Sequence, residues 1–427
     1  ALVKSAVTPP PELADRQEAV ASFVMEVGRA LLAYGAPTPA VEDAMTGVSE
    51  NLGVHIEPFA LPTMLQASFG PDDRQRHRVL RFDPGGVDLG GRARVGEIVD
   101  AVLAGRSTPD EGRAALIRLR ESPTRPPAWL DAGSVSLAAA ASARFFSGGY
   151  REIAAAAVVG LAVGLLERVA SRLVWFERIL PCVAALVASA GAVVAAWLAG
   201  SLAVAVVVVS ALIVLLPGLS ITTAVGELAA RHLSAGSSRI SLGAMTLVLM
   251  AFGVALGRAL EGVLPPFQDA EFPIAAPAWT LWAALAVAPA AHAVRLNALP
   301  RDLPALYAGG VAGFLVGRVA SERFGAAFGS FAAAFVVTLL ANGWSRRTGR
   351  TSAILLTPGL LMLVPGSLGF RSLASLVRSE VVAGVEGVFN VVLIAAAIVT
   401  GLFLAMQILP PREPAAAAAP KGASGDG

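Results

Sequence analysis

The sequence predicts a mainly α-helical, polytopic membrane protein: ten transmembrane helices as two inverted five-helix repeats, with a small α+β cytoplasmic N-terminal domain. Three observations predict it. The 427-residue chain is 55% hydrophobic and 15% charged, with a mean hydropathy of +0.67, too apolar for a soluble protein of this size. The excess is uneven: charge runs throughout residues 1–130, whereas 131–410 hold long runs of Ala, Val, Leu and Gly. Finally, two of those runs are interrupted at matching points, in PGLSITTAVGELAARHL (217–233) and TPGLLMLVPGSLGFRSL (357–373), each by Pro-Gly with a Ser close behind. The chain divides accordingly into a cytoplasmic domain and linker (1–130), a first five-span half (131–262), a second (263–410) and a Pro/Ala/Gly tail (411–427) expected to be disordered.

In the N-terminal domain, Val20, Phe23, Val24, Val27 and Leu31 form a helical stripe over 15–34, and Val41, Met45, Val48 and Leu52 form another over 39–52. Short strands are expected at 54–59, 63–69 and 78–83. Val95, Ile98, Val99 and Val102 mark a third helix. A fourth begins at Thr108-Pro109-Asp110-Glu111, a capping box with proline at the first helical position. Gly85-Gly86 and Gly90-Gly91 read as turns. Glu42-Asp43 reads as a solvated helix face, because adjacent helical positions point about 100° apart and do not converge on one substrate. The first residues hold no apolar core, so no signal peptide is expected in them. SPTRPPAW (122–129) is a linker.

The ten spans are expected near 132–149, 150–167, 179–198, 200–222, 239–260, 278–296, 302–320, 325–344, 352–376 and 384–409. Arg144 makes the first the weakest. The positive-inside rule places both termini in the cytoplasm. Arg168, Arg172, Arg178, Arg231, Arg239, Arg295, Arg301, Arg346, Arg347 and Arg350 then lie in cytoplasmic connections, and the loop with Glu261, Asp269 and Glu271 lies outside. Arg151, Arg318, Arg323 and Arg378 run against the rule but are fewer. Five spans per half is odd, so the second half enters from the opposite face; Pro217-Gly218 then superposes on Pro365-Gly366. Such paired breaks point to a transporter's midplane binding site, while a plain kink is the blander account.

Catalytic and metal motifs are absent. There is no P-loop, HExxH, CxxC or GxSxG; His55, His77, His232 and His292 are widely spaced; and Cys182, the single cysteine, sits in an apolar run. No enzyme activity, cofactor or metal is expected.

The site residues follow from the breaks. Ser220, Thr222, Thr223 and Ser367 offer hydroxyls to a small polar substrate, unless they bond back to their own helices. Glu227 is the candidate proton-coupling acid, or else pairs with Arg231 at i+4. Arg371 clamps a substrate carboxylate or neutralises Glu227, or snorkels to headgroups. Asn342 and Asn390 complete a polar cavity, or join helices.

LLAYGAPTPAVEDAM (31–45), ALPTMLQASF (60–69), PGLSITTAVGELAARHL and PGLLMLVPGSLGFRSL (358–373) resemble motifs of the threonine/serine exporter family. The resemblance covers roughly 20–410; Pro37 and Pro39 around Thr38, with His55 and Pro58, depart from it. It implies a secondary exporter of threonine and serine, driven by the proton motive force, in a bacterial inner membrane. In related systems the two halves are separate proteins, and some of those relatives are linked to succinate export. Expected partners are a small amino-acid substrate, protons and the lipid bilayer, with no nucleic acid; self-association stays open. A dicarboxylate exporter, a channel and a membrane-anchored hydrolase are the rival readings.

Overall fold

Helix α1 (Pro11–Ala33) forms because Val20, Phe23, Val24, Val27 and Ala30 fall on one face, and all five are buried in the core of the N-terminal unit. It ends ahead of Gly35, whose φ of +70° suits glycine. Pro37 precedes α2 (Thr38–Asn51) and Pro39 lies in its first turn, where the missing N–H costs no helical bond. The two prolines therefore start this helix rather than disturb it. Residues 11–70, 75–82, 85–122, 126–265, 267–270, 274, 276–363 and 381–411 are described by the structure, a computed structural model.

Strands β1 (Ile56–Leu61), β2 (Met64–Phe69) and β3 (Arg76–Arg81) make an antiparallel meander with Ala60 opposite Leu65 and Leu65 opposite Leu80. Alternation along β2 buries Leu65, Ala67 and Phe69 against α1 and α2. Asp88 caps α3 (Leu89–Leu103), accepting from the Gly91 N–H at 2.6 Å. The expected turn at Gly90-Gly91 is instead the first turn of α3, where glycine is required because the Tyr34 ring lies where a Gly91 Cβ would stand. Burial and then the Asp88 carboxylate push the Tyr34 phenol above its ordinary range. Its hydroxyl stays protonated and donates to the Leu119 carbonyl at 3.2 Å. Glu42 is half-buried, not solvated: its carboxylate accepts from the Ala60 N–H at 2.7 Å and fastens α2 to β1. Helix α4 (Pro109–Glu121) has the full capping box, Thr108 and Glu111 bonding each other's backbone N–H. Thr108→Ala removes one cap and is expected to cost this unit about 1 kcal/mol, read as a lower melting temperature.

The second unit is built from residues 125–348 and 352–411. It comprises α5 (Ala128–Phe145), α6 (Tyr150–Ala170), α7 (Val174–Ala199), α8 (Val204–Ala211), α9 (Gly218–Ala229), α10 (Leu233–Arg258), α11 (Trp279–Arg295), α12 (Leu303–Phe324), α13 (Ala326–Thr348), α14 (Ala353–Leu361) and α15 (Val381–Ile408). Among the described residues, six helical segments are long and apolar enough to cross a membrane: 150–170, 175–199, 233–262, 300–324, 326–348 and 386–408. The other expected spans differ for physical reasons. α5 carries Asp131, Arg144 and three serines along 18 residues, and α11 has 17 residues. The fourth is split into α8 and α9, and the ninth is described only as α14.

Small residues let these helices touch along their backbones. On α10, Gly253 and Gly257 seat against the Cys182 and Leu186 carbonyls of α7, and on α15 Gly401 seats against the Phe331 carbonyl of α13. Gly160 and Gly164 of α6 lie on Ala139 and Ala132 of α5, and Gly309 and Gly313 of α12 lie on Leu355 and Gly359 of α14. Helix α7 thus packs on α10 and α13 on α15, while α8 packs on α6 and α14 on α12.

One end of this unit is tied by polar groups. β4 (Ser201–Leu202) pairs with β5 (Gln268–Asp269), and Asp269 accepts from the Val204 N–H at 3.1 Å and pairs with Arg258 at 3.1 Å. The buried Glu152 carboxylate accepts from the N–H groups of Gly149 and Ala203, at 2.9 and 3.2 Å. Arg144, awkward within a span, sits in the last turn of α5 and donates to Thr280 Oγ1 at 2.6 Å and the Ala276 carbonyl at 3.2 Å.

Candidate functional site at the broken helix

Six of the eight residues of helix α8 are buried, and it stops at Ala211. The chain then turns tightly: the N–H groups of Leu215 and Leu216 both bond the Leu212 carbonyl, at 2.9 and 3.1 Å. Pro217, with no N–H to give, precedes α9, and the Ile221 N–H restarts the ladder on the Pro217 carbonyl at 2.9 Å. Pro217 and Gly218 thus stand at a true interruption of a helix.

The break lies inside the bundle. Leu219 packs among Ala334, Leu360, Ile394 and Ile398, together with Leu356 and Leu363. The start of α9 therefore meets the chain leading into the second Pro-Gly-Ser. Pro365, Gly366, Ser367 and Arg371 themselves lie outside the described residues. Ser210, not singled out in the sequence, is fully buried one residue before the end of α8, and its hydroxyl has no partner among the described residues.

The four expected hydroxyls do not behave alike. Thr222 is buried and its Oγ1 donates to the Gly218 carbonyl at 3.1 Å, the local bond that holds the first turn of α9. Ser220 is exposed and Thr223 half-buried. Asn342, fully buried, donates from Nδ2 to the Leu409 carbonyl at 2.7 Å, and Arg346 donates to the Pro410 carbonyl at 2.9 Å. Both cap the end of α15, which satisfies orphan carbonyls and sets a positive charge at a negative helix pole. Asn390 is exposed on α15 and is not brought to Asn342.

Glu227 is 1% exposed in the last turn of α9. It does not pair with Arg231. The helix ends at Ala229, and Arg231 takes a left-handed conformation with φ 67°, so the i+4 geometry is lost. The reversal at 230–232 instead brings Arg239 of α10 alongside, and its Nε lies 3.0 and 2.9 Å from the two carboxylate oxygens. Arg239, expected in a loop, is thus part of α10 and largely covered. Sequence spacing missed it because the pairing depends on where α9 stops.

No group of three or more His, Cys, Asp or Glu that could hold a metal occurs among the described residues. The arrangement offers a desolvated ion pair in the last turn of the helix that follows the interruption.

Comparison with known proteins matches the chain to two family models. Residues 22–260 match a family model described as "Putative threonine/serine exporter", and residues 281–408 match one described as "Threonine/Serine exporter, ThrE". Pheromone-regulated membrane protein 10 of Saccharomyces cerevisiae is 26% identical over 82% of this chain and 46% of its own length. The Candida albicans protein of that name is 28% identical over 56% of this chain and 22% of its own. An uncharacterised Schizosaccharomyces pombe protein is 23% identical over 81% and 47%. The chain spans less than half the length of these curated relatives. They are yeast proteins, so the similarity points to a membrane protein and not to a bacterial one in particular. No solved structure matches.

Proposed function

Because this chain belongs to the threonine/serine exporter family, we propose that it is a secondary active transporter of small hydrophilic amino acids, threonine and serine, coupled to protons by alternating access. The observation that carries the reading is the Glu227–Arg239 pair, buried at the end of a helix broken at Pro217-Gly218. Burying a carboxylate and a guanidinium in an apolar bundle is costly, and a bundle that only anchored a soluble domain would gain nothing from it.

In this reading ten spans cross the membrane, with the N-terminal domain and both termini on the cytoplasmic side and the α8/α9 and α14 segments as the broken helix of each half. A repeat is supported by spacing: 148 positions separate Pro217 from Pro365 and also Gly253 from Gly401. The two glycines serve the same contact, fifth helix on third. The substrate sits between the breaks, its carboxylate toward backbone N–H groups at the start of α9 and toward Arg371, its hydroxyl toward Ser220, Thr223 and Ser367. Thr222 holds its helix, and Asn342 holds the end of α15; neither is needed as a ligand.

The test is reconstitution into liposomes under an imposed proton gradient. Labelled threonine is expected to accumulate against its own gradient, and an uncoupler is expected to collapse the accumulation. Equilibration without accumulation would make the protein a channel or uniporter. Ser220→Ala is expected to weaken apparent threonine affinity about tenfold, the loss of one hydrogen bond to a charged or buried partner, with normal membrane insertion; Thr222→Ala is expected to change affinity far less.

A further inference from the structure

Arg295, in the last turn of α11, holds two carboxylates on two other helices. Its Nη1 lies 2.8 Å from Asp131 Oδ1 of α5, and its Nη2 lies 3.2 Å from Oε1 and 3.1 Å from Oε2 of Glu167 on α6. All three side chains are largely covered, at 24%, 20% and 11% exposure. Asp131 and Glu167 fall in the part of the chain matched by the first family model, Arg295 in the part matched by the second. The triad therefore crosses from one half to the other. It stands where α5 begins and where α6 and α11 end.

The charges do not balance. Two carboxylates face one guanidinium, which leaves a net negative charge in a covered place. Among the described residues Arg295 is the cation paired with both carboxylates. On α6 itself, the next residue is Arg168, whose Nε is buried and has no hydrogen-bond partner among the described residues. On α11 the nearest titratable group is His292, whose Nδ1 donates to the Ala288 carbonyl at 2.7 Å. Helix α8 carries no charge, α7 contributes only the exposed Glu177 and Arg178 at its start, and Arg301 and Asp302 stand ahead of α12.

We infer that Asp131, Glu167 and Arg295 form a latch between the two halves, and that taking up a proton on Glu167 releases it. Protonating Glu167 removes its attraction for Arg295 and leaves Asp131 and Arg295 as a balanced pair; α6 is then freed from α11. The sign follows: the latch is closed when Glu167 is ionised and opens as pH falls. The inference rests on the transporter reading only in making this motion a step of transport.

The test needs no substrate, so it succeeds or fails apart from that reading. In a Cys182→Ala background of the full chain in liposomes, Ala293→Cys places a thiol at a buried position two residues before Arg295. Its rate of labelling by a maleimide is taken relative to Ser234→Cys, an exposed position, so that the thiol's own pH dependence cancels. The relative rate is expected to rise about tenfold between about pH 8 and about pH 5.5, as ionisation of one carboxylate is lost. Glu167→Gln is expected to be fast at both pH values. Asp131→Asn leaves one carboxylate to one guanidinium and should move the rise to lower pH. The exchange of Glu167→Arg with Arg295→Glu should restore slow labelling near pH 8. A relative rate independent of pH, or Glu167→Gln indistinguishable from the parent, would overturn the latch; a merely structural cluster would give no shift in Asp131→Asn.

Discussion

Glu227→Gln is expected to abolish proton-driven accumulation of threonine while leaving the protein folded and exchange measurable. Glutamine keeps the shape and can still accept from Arg239 Nε, but it cannot carry a proton. The carboxylate it replaces is 1% exposed and touches Arg239 with both oxygens. Removing one partner of such a pair outright is far harsher. Glu227→Ala leaves a guanidinium largely covered and unanswered, at a cost of about 3–5 kcal/mol, and is expected to lower the yield of folded protein. The pair of variants separates the two roles. If Glu227→Gln still concentrates threonine at the parent rate, the coupling acid lies elsewhere and Glu227 is structural.

Gly309→Val is expected to be the most damaging single change to the membrane unit. A Cβ on Gly309 would overlap the Leu355 carbonyl oxygen of α14, and one on Gly313 would stand 2.6 Å from the Gly359 carbonyl oxygen. Both obstacles are backbone, so no rotamer change relieves them. Overpacking of this kind costs about 3 kcal/mol or more. Here it strikes the contact by which α12 carries the short helix α14, a few residues ahead of Pro365-Gly366 in the sequence. Gly309→Val should fail to give a monodisperse peak on size exclusion, whereas Gly262→Val, a position where a Cβ meets nothing within 4 Å, should behave as the parent.

The division into a charged α+β unit and an apolar helical unit was legible because bilayer thickness imposes long apolar runs and core burial imposes a period on the sequence. The three strands fall within two residues of their expected places for the same reason: β2 alternates, and the turn at 62–63 fixes its pairing with β1. Less could be read where tertiary contact decides. Glu227 stood out as an acid in an apolar run, yet its partner depended on α9 ending at Ala229, which no local spacing announces. Arg144 read only as a weakness within the first span, and Arg295 as an ordinary basic residue of a connection; each proves to join α5 and α11. Gly309 and Gly401 are two among 43 glycines until the helix each must touch is known. Ser367 and Arg371 remain sequence expectations, since they lie outside the described residues.

The central claim, that this chain moves a small hydroxylated amino acid through a site at the helix breaks, is tested most directly by counterflow. Liposomes holding the purified protein are loaded with unlabelled threonine, serine or succinate and diluted into a trace of labelled threonine. Threonine and serine inside are expected to drive a transient uptake of label well above that of protein-free liposomes, and succinate is expected to drive none. Uptake driven by succinate alone, measured with labelled succinate, would assign the same fold to dicarboxylates. Label uptake equal to that of protein-free liposomes with all three would contradict the account.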